Sequence, residues 1–172
     1  MKKSNNTLYI LKDCLYTKLI ITTILVISFL LLPRVGFCPA GGEVYAVPTN
    51  VFFPLVHANV FHLLCNIACL WQLYDVKRLL FAGCIVSFLC SFLPESLHDI
   101  MGCSGIIFAM IGFRFGEYGR FNTMVKAYAL FFVITAFIPN VAVLFHIYCL
   151  VMAYIAGNLY QTLSLLKKAT CI

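Results

Sequence analysis

Three short patterns hold the polar side chains that could do chemistry in this chain. His57, His62 and Asn66 form His-x4-His-x3-Asn; Gly102, Ser104 and Gly105 form Gly-x-Ser-Gly; His146 stands alone in an apolar run. A serine hydroxyl is a weak nucleophile until a base takes its proton, and histidine, with a pKa near neutrality, is suited to take it. A serine at the start of a helix also faces backbone N–H groups without intrahelical partners, which would stabilise an oxyanion developing on a substrate carbonyl. His62 and Asn66 are four apart, hence on one helix face, and could add side-chain donors to the same oxygen. Together these groups describe acyl transfer, the hydrolysis of an amide, by a Ser104–His146 dyad. No Asp or Glu falls at a matching depth in any apolar segment, so no buried carboxylate is expected as a third member.

The elements that must position these groups follow from composition. The chain has 172 residues, 63% of them apolar and 10% charged, with a mean hydropathy of +0.99. Soluble domains are about 45–50% apolar and about 25% charged, so a water-soluble globule is excluded. Disorder, collagen and coiled coil are excluded as well, because the chain lacks the charge, the Gly period or the heptads they need. Apolar runs bounded by charges, Pro and Gly predict one all-α membrane domain, 1–172, with spans at about 15–32, 58–75, 79–93, 103–117, 123–138 and 141–164. The first outer loop, about 33–52, carries the breakers Pro33, Pro39, Gly41, Gly42, Pro48 and Asn50.

Charge placement orients these spans. Lys2, Lys3, Lys12 and Lys18 flank the first apolar run, and Lys77, Arg78, Arg114, Arg120, Lys126, Lys167 and Lys168 fall in the second, fourth and last connections. With both termini cytoplasmic, Arg34 alone of the 12 Lys and Arg lies outside, as the positive-inside rule requires. The +6 net charge therefore reads as topology and not as nucleic-acid binding. The same orientation fixes depth at about 1.5 Å per helical residue. His62 then lies about 7 Å below His57, Asn66 about 13 Å below it, and His146 about 9 Å below the Pro139-Asn140 turn. Ser104 is only about 15–24 Å from the charges at the inner end of its span, against about 30 Å of hydrocarbon. It must begin its helix below the outer surface, and all four groups share one level near that face.

The nine cysteines do not form a metal motif, since there is no CxxC pair and Cys65 and Cys69 lie four apart on one helix face. Cys65, Cys69, Cys84, Cys90, Cys103 and Cys149 sit in apolar runs, where cysteine acts as a small hydrophobe. No metal and no cofactor are expected. The first apolar run ends at Pro33-Arg34 without a small-residue cleavage pattern, so no cleaved signal peptide is expected.

These patterns resemble the rhomboid family of intramembrane serine proteases, in its minimal six-helix bacterial form. The resemblance covers the second to sixth spans. It implies Ser104 as nucleophile, His146 as general base, and His62 and Asn66 as oxyanion-hole donors. Gly102, Gly105 and Phe108 become supporting residues, with Phe108 standing where the family usually has tyrosine. The family's Trp-Arg pair in the first outer loop is missing, and Trp71 lies in the second span. The resemblance further implies substrates that are transmembrane helices, entering beside the fifth span and cut near the outer face. A bacterial plasma membrane is the expected setting, with the lipid bilayer and transmembrane proteins as partners and no nucleic acid.

Blander readings accompany these. His57 either supports the loop ahead of Ser104 or sits at the wet interface, and His98 between Glu95 and Asp99 reads as solvated loop. Gly105, Gly112 and Gly116 read as packing, as do Cys149, Ala153 and Gly157, a small-residue stripe after His146. Phe131, Phe132 and Phe137 read as lipid contact, and the resemblance makes them a candidate gate. The alternatives to a protease are a catalytically silent rhomboid-like protein that binds membrane helices, and a permease using the histidines as ligands or proton relay.

Overall fold

The structure is a computed structural model that describes residues 2–31, 53–57, 59–73, 75–91, 102–118 and 143–170. The expected fifth span, the first outer loop, the Pro139-Asn140 turn, His98 and Phe131, Phe132 and Phe137 lie outside the described residues. Those residues are all helical in their regular structure: α1 (Lys2–Leu31), α2 (Val60–Gln72), α3 (Val76–Cys90), α4 (Ser104–Tyr118) and α5 (Val143–Thr170). One 3-10 turn, Phe53–Leu55, leads towards His57. Two stretches, Cys14–Leu31 in α1 and Val143–Ala169 in α5, are long and apolar enough to cross a membrane.

Helix boundaries depart from the expected spans where hydropathy stops tracking backbone geometry. α1 begins at Lys2 because its polar first turns continue the helix beyond the apolar run. α2 begins after Asn59, whose extended backbone and side chain cap it by accepting a 2.8 Å hydrogen bond from the His62 N–H. It stops at Leu73, which is extended, just ahead of Asp75 in the left-handed region (φ 58). Aspartate tolerates that conformation better than most side chains, which permits the sharp turn into α3. α3 therefore takes Lys77 and Arg78 into its first turn, which an apolar window leaves out. α5 runs on to Thr170 with Lys167 and Lys168 in its last turn, where cations favour the helix dipole.

α4 is the central element. Ile107, Met110 and Ile111 bury against Leu25 of α1, Leu63 and Leu70 of α2 and Leu79 of α3. Its other side, Phe108 and Ala109, packs with Val86 and Cys90 of α3 and with Phe145, Cys149 and Ala153 of α5. The α4–α5 crossing is close because glycines line it. A Cβ added at Gly112 would stand 2.1 Å from the Leu150 carbonyl oxygen, one at Gly116 2.1 Å from that of Tyr154, and one at Gly157 2.1 Å from that of Phe113. Backbone meets backbone here, and no side chain larger than hydrogen fits.

Charges gather at the end of the bundle away from Ser104. The Arg78 guanidinium donates to both carboxylate oxygens of Glu117 at 2.6 and 2.7 Å, and to Asp75 at 2.8 Å, tying the start of α3 to the end of α4. Lys18 of α1 donates to the Trp71 carbonyl at 2.8 Å, and the Trp71 indole N–H donates to Thr22 at 2.9 Å. The outward faces of α1 and α5 are apolar, with Leu30, Leu31, Leu163 and Leu166 all exposed.

Candidate active site

The other end of the bundle holds the polar groups singled out in the sequence. Ser104 is the first residue of α4, and the Ile107 N–H already donates to the Cys103 carbonyl at 3.1 Å. The N–H groups ahead of that bond, on Ser104, Gly105 and Ile106, have no acceptor within the helix. His146 lies in the first turn of α5, and the α4–α5 crossing brings the two side chains together. Ser104 Oγ is 2.7 Å from His146 Nε2, and both residues are buried, at 8% and 7% exposure. With Nδ1 carrying the imidazole proton, Nε2 accepts from the serine hydroxyl, which is the arrangement a general base requires. His146 Nδ1 is buried with no hydrogen-bond partner among the described residues.

The imidazole is held by aromatic rings. Phe108, one turn into α4 from Ser104, stacks on His146 with centroids 4.7 Å apart and planes 25° from parallel. Phe145 lies at 6.1 Å and 51°. A phenyl ring suffices for that stacking.

His62 and Asn66 approach from α2 through Gly102. That glycine has φ +86, a conformation side-chain-bearing residues rarely adopt. A Cβ there would stand 2.9 Å from the Cε1 and Nε2 atoms of His62 and 3.0 Å from the Asn66 amide nitrogen. The bare glycine thus lets the His62 ring and the Asn66 amide lie directly against the chain two residues before the serine. Asn66 Nδ2 is buried and has no partner among the described residues. A buried donor is costly to leave unpaired, and this one lies beside Gly102, two residues before Ser104.

His57 resolves towards one of its two expected roles. It is buried, at 3% exposure, and not at a wet interface. Its ring meets that of His62 edge-on at 5.3 Å, and its Nε2 is 3.9 Å from Cys103 Sγ. Burial pushes its pKa down to about 4; the neighbouring His62 lowers it further, and a hydrogen bond with the Leu55 backbone opposes both. A neutral His57 therefore braces the Gly102–Cys103 turn from behind. The Cys103 contact has no linear signal, because a cysteine in an apolar run reads as filler.

Gly105 is a packing residue of a specific kind. A Cβ there would come 2.3 Å from the Phe145 ring and 3.0 Å from Ser87 Oγ, so α3 and α5 both close on α4 next to Ser104. Ser87 is fully buried and was not singled out by the sequence. Among the described residues no cluster of three or more His, Cys, Asp or Glu could hold a metal ion. Comparisons of the chain with protein-family models, with curated proteins and with solved structures return no match in any of the three.

Proposed function

We propose that this chain is a rhomboid-type intramembrane serine protease, a polytopic protein with both ends cytoplasmic that cleaves transmembrane helices near the outer face of its membrane. The observation that carries this reading is the buried 2.7 Å hydrogen bond between Ser104 Oγ and His146 Nε2. Two further features support it: the free amide of Asn66 beside Gly102, and the apolar outward faces of α1 and α5, which suit lipid.

In this reading His146 takes the Ser104 proton as Oγ attacks the scissile carbonyl carbon. The carbonyl π electrons move onto oxygen, and that oxyanion accepts from Asn66 Nδ2, from the His62 ring and from the free N–H groups at the start of α4. The His146 imidazolium then protonates the leaving amine, the acyl–Ser104 ester forms, and water delivered by the same histidine releases the new carboxylate. Few groups compete for the dyad's hydrogen bonds, and the stacked Phe108 keeps the imidazole in plane.

A fluorophosphonate probe tests the activated serine directly. The parent protein in detergent should label stoichiometrically, with the phosphonyl adduct mapped by mass to Ser104, and His146→Ala should slow labelling by orders of magnitude because the two groups act as a unit. An unlabelled parent that still captures membrane helices would overturn the protease reading in favour of a silent helix-binding protein.

A further inference from the structure

Lys18 is a charged side chain buried within the apolar stretch Cys14–Leu31, at 8% exposure, and the chemistry above makes no use of it. A charge placed there is costly unless it is paired. Its position on α1 determines what pairs it. Cys14, Lys18, Ile21, Thr22, Leu25 and Phe29 recur at helical spacing as less exposed positions, and Leu25 packs into the core with Leu63 and Leu70 of α2. Lys18 and Thr22, one turn apart on this stripe, thus meet the last turn of α2.

There the two helices exchange hydrogen bonds. Lys18 Nζ donates to the Trp71 carbonyl at 2.8 Å, and Trp71 Nε1 donates back to Thr22 Oγ1 at 2.9 Å. The ammonium also lies 6.0 Å from the centroid of the indole ring, within cation–π range. α2 ends at Gln72, so the Trp71 carbonyl is one of the last four without an acceptor role inside the helix. A cation at that end also meets the negative pole of the helix dipole. The neighbouring Leu70 carbonyl is taken by the Leu73 N–H at 3.2 Å.

We propose that Lys18, with Thr22, is a positioning residue for the reaction: its latch on Trp71 fixes α2 along its axis and so sets where Asn66 and His62 present their donors to the oxyanion. This rests on the protease reading above. Asn66 is five residues from Trp71 and His62 nine, about 7.5 and 13.5 Å along one unbroken helix. Leu63 and Leu70 hold α2 sideways through apolar contacts that have no preferred direction, whereas two crossed hydrogen bonds resist sliding and rotation alike. The other end of α2 tolerates little of either, because the His62 ring and the Asn66 amide lie against Gly102 without room for a Cβ. Ser104 and His146 ride on α4 and α5, outside the latched pair, so the latch bears on the oxyanion donors and not on the dyad. α1 thereby serves the reaction without touching substrate.

The test compares the full chain in detergent with Lys18→Met, Thr22→Val and Thr22→Ser, and with the first two built on Asn66→Ala. Trp71 is the chain's sole tryptophan, so its fluorescence reads the latch apart from any activity. Emission should move to shorter wavelength in Thr22→Val, where the indole N–H loses its acceptor, and stay at the parent position in Thr22→Ser. Turnover of a transmembrane reporter helix should fall about tenfold in Lys18→Met, as for displacement of a catalytic donor by a fraction of an ångström. It should fall by less in Thr22→Val and not at all in Thr22→Ser, with KM nearly unchanged throughout. On Asn66→Ala the same substitutions should cost far less, because the donor through which they act is already gone. Equal losses with and without the Asn66 amide would assign Lys18 to fold stability alone and overturn the proposal. Parent-level turnover in a Thr22→Val protein whose emission has moved would overturn it too, and unmoved emission would remove the latch itself. Thr22→Val keeps the test standing should Lys18→Met not fold. A parent that turns over no reporter overturns the protease reading and the positioning role with it, and Trp71 emission tells that case apart from failure of the latch.

Discussion

The α4–α5 crossing makes the sharpest quantitative demand on this fold, and Gly112→Ala tests it. The added methyl would lie 2.1 Å from the Leu150 carbonyl oxygen, 2.9 Å from its carbon and 3.0 Å from its Cα. A carbon–oxygen contact of this kind settles at about 3.3 Å or more, so the helices must part by about 1 Å. All three atoms are backbone, and no rotamer change can relieve the clash. Ser104 rides on α4 and His146 on α5, so the parting is felt in their 2.7 Å hydrogen bond. Misplacing a catalytic group by about 1 Å costs about a hundredfold, or about 2.7 kcal/mol of transition-state stabilisation. Overpacking should also lower stability by about 1–3 kcal/mol. Fluorophosphonate labelling rate and thermal unfolding in the same detergent separate these effects. Gly83→Ala is the comparison: its added methyl would meet the Met110 side chain at 2.7 Å and the Ile106 carbonyl oxygen at 2.9 Å, a smaller clash that lies between α3 and α4 and does not part α4 from α5, and it should slow labelling less. A Gly112→Ala protein that folds and labels at the parent rate would refute the idea that this crossing sets the dyad distance.

Other expectations concern single groups around the serine. Asn66→Ala should lower the turnover of a cleaved reporter by about 10²–10³ while leaving its KM nearly unchanged, because the amide acts on charge that exists only in the transition state. Phe108→Ala should slow labelling while Phe108→Tyr preserves it, since the stacked ring contributes about 0.5–1.5 kcal/mol to holding the imidazole plane. His57 gives a pH signature: its folded-state pKa near 4 lies below the ordinary 6.5, so the unfolded chain binds the extra proton between those values. Its contribution to stability is therefore complete above about pH 6.5 and is lost as pH falls towards 4. Melting temperature followed from pH 7 to 4 should drop less steeply for His57→Gln than for the parent; equal slopes would refute the buried, neutral assignment.

The polar groups of the candidate site are more legible in this sequence than the packing around them. Ser104, His146, His62 and Asn66 stand out because ionisable and amide groups are scarce in apolar runs, and because helical rise puts them at one depth. Gly102 and Gly105 were flagged by pattern, but their reasons are three-dimensional: one has φ +86 under His62, the other is pinched between Ser87 and Phe145. The ends of α2 and α3 were misjudged because a hydropathy window cannot see the Asn59 cap or the left-handed Asp75 turn. Nor could it see that Lys77 and Arg78 are helical. The Cys103–His57 contact joins residues far apart in the chain, and cysteine in an apolar run carries no mark of its partner. His57 was open between two roles until its burial separated them.

Cleavage of a transmembrane reporter helix by the purified chain, set beside Ser104→Ala, bears hardest on the proposed activity. The parent should release a product cut near the outer end of the reporter helix, and Ser104→Ala should release none while melting like the parent. Cleavage that survives in Ser104→Ala would remove this serine from the chemistry and the protease reading with it.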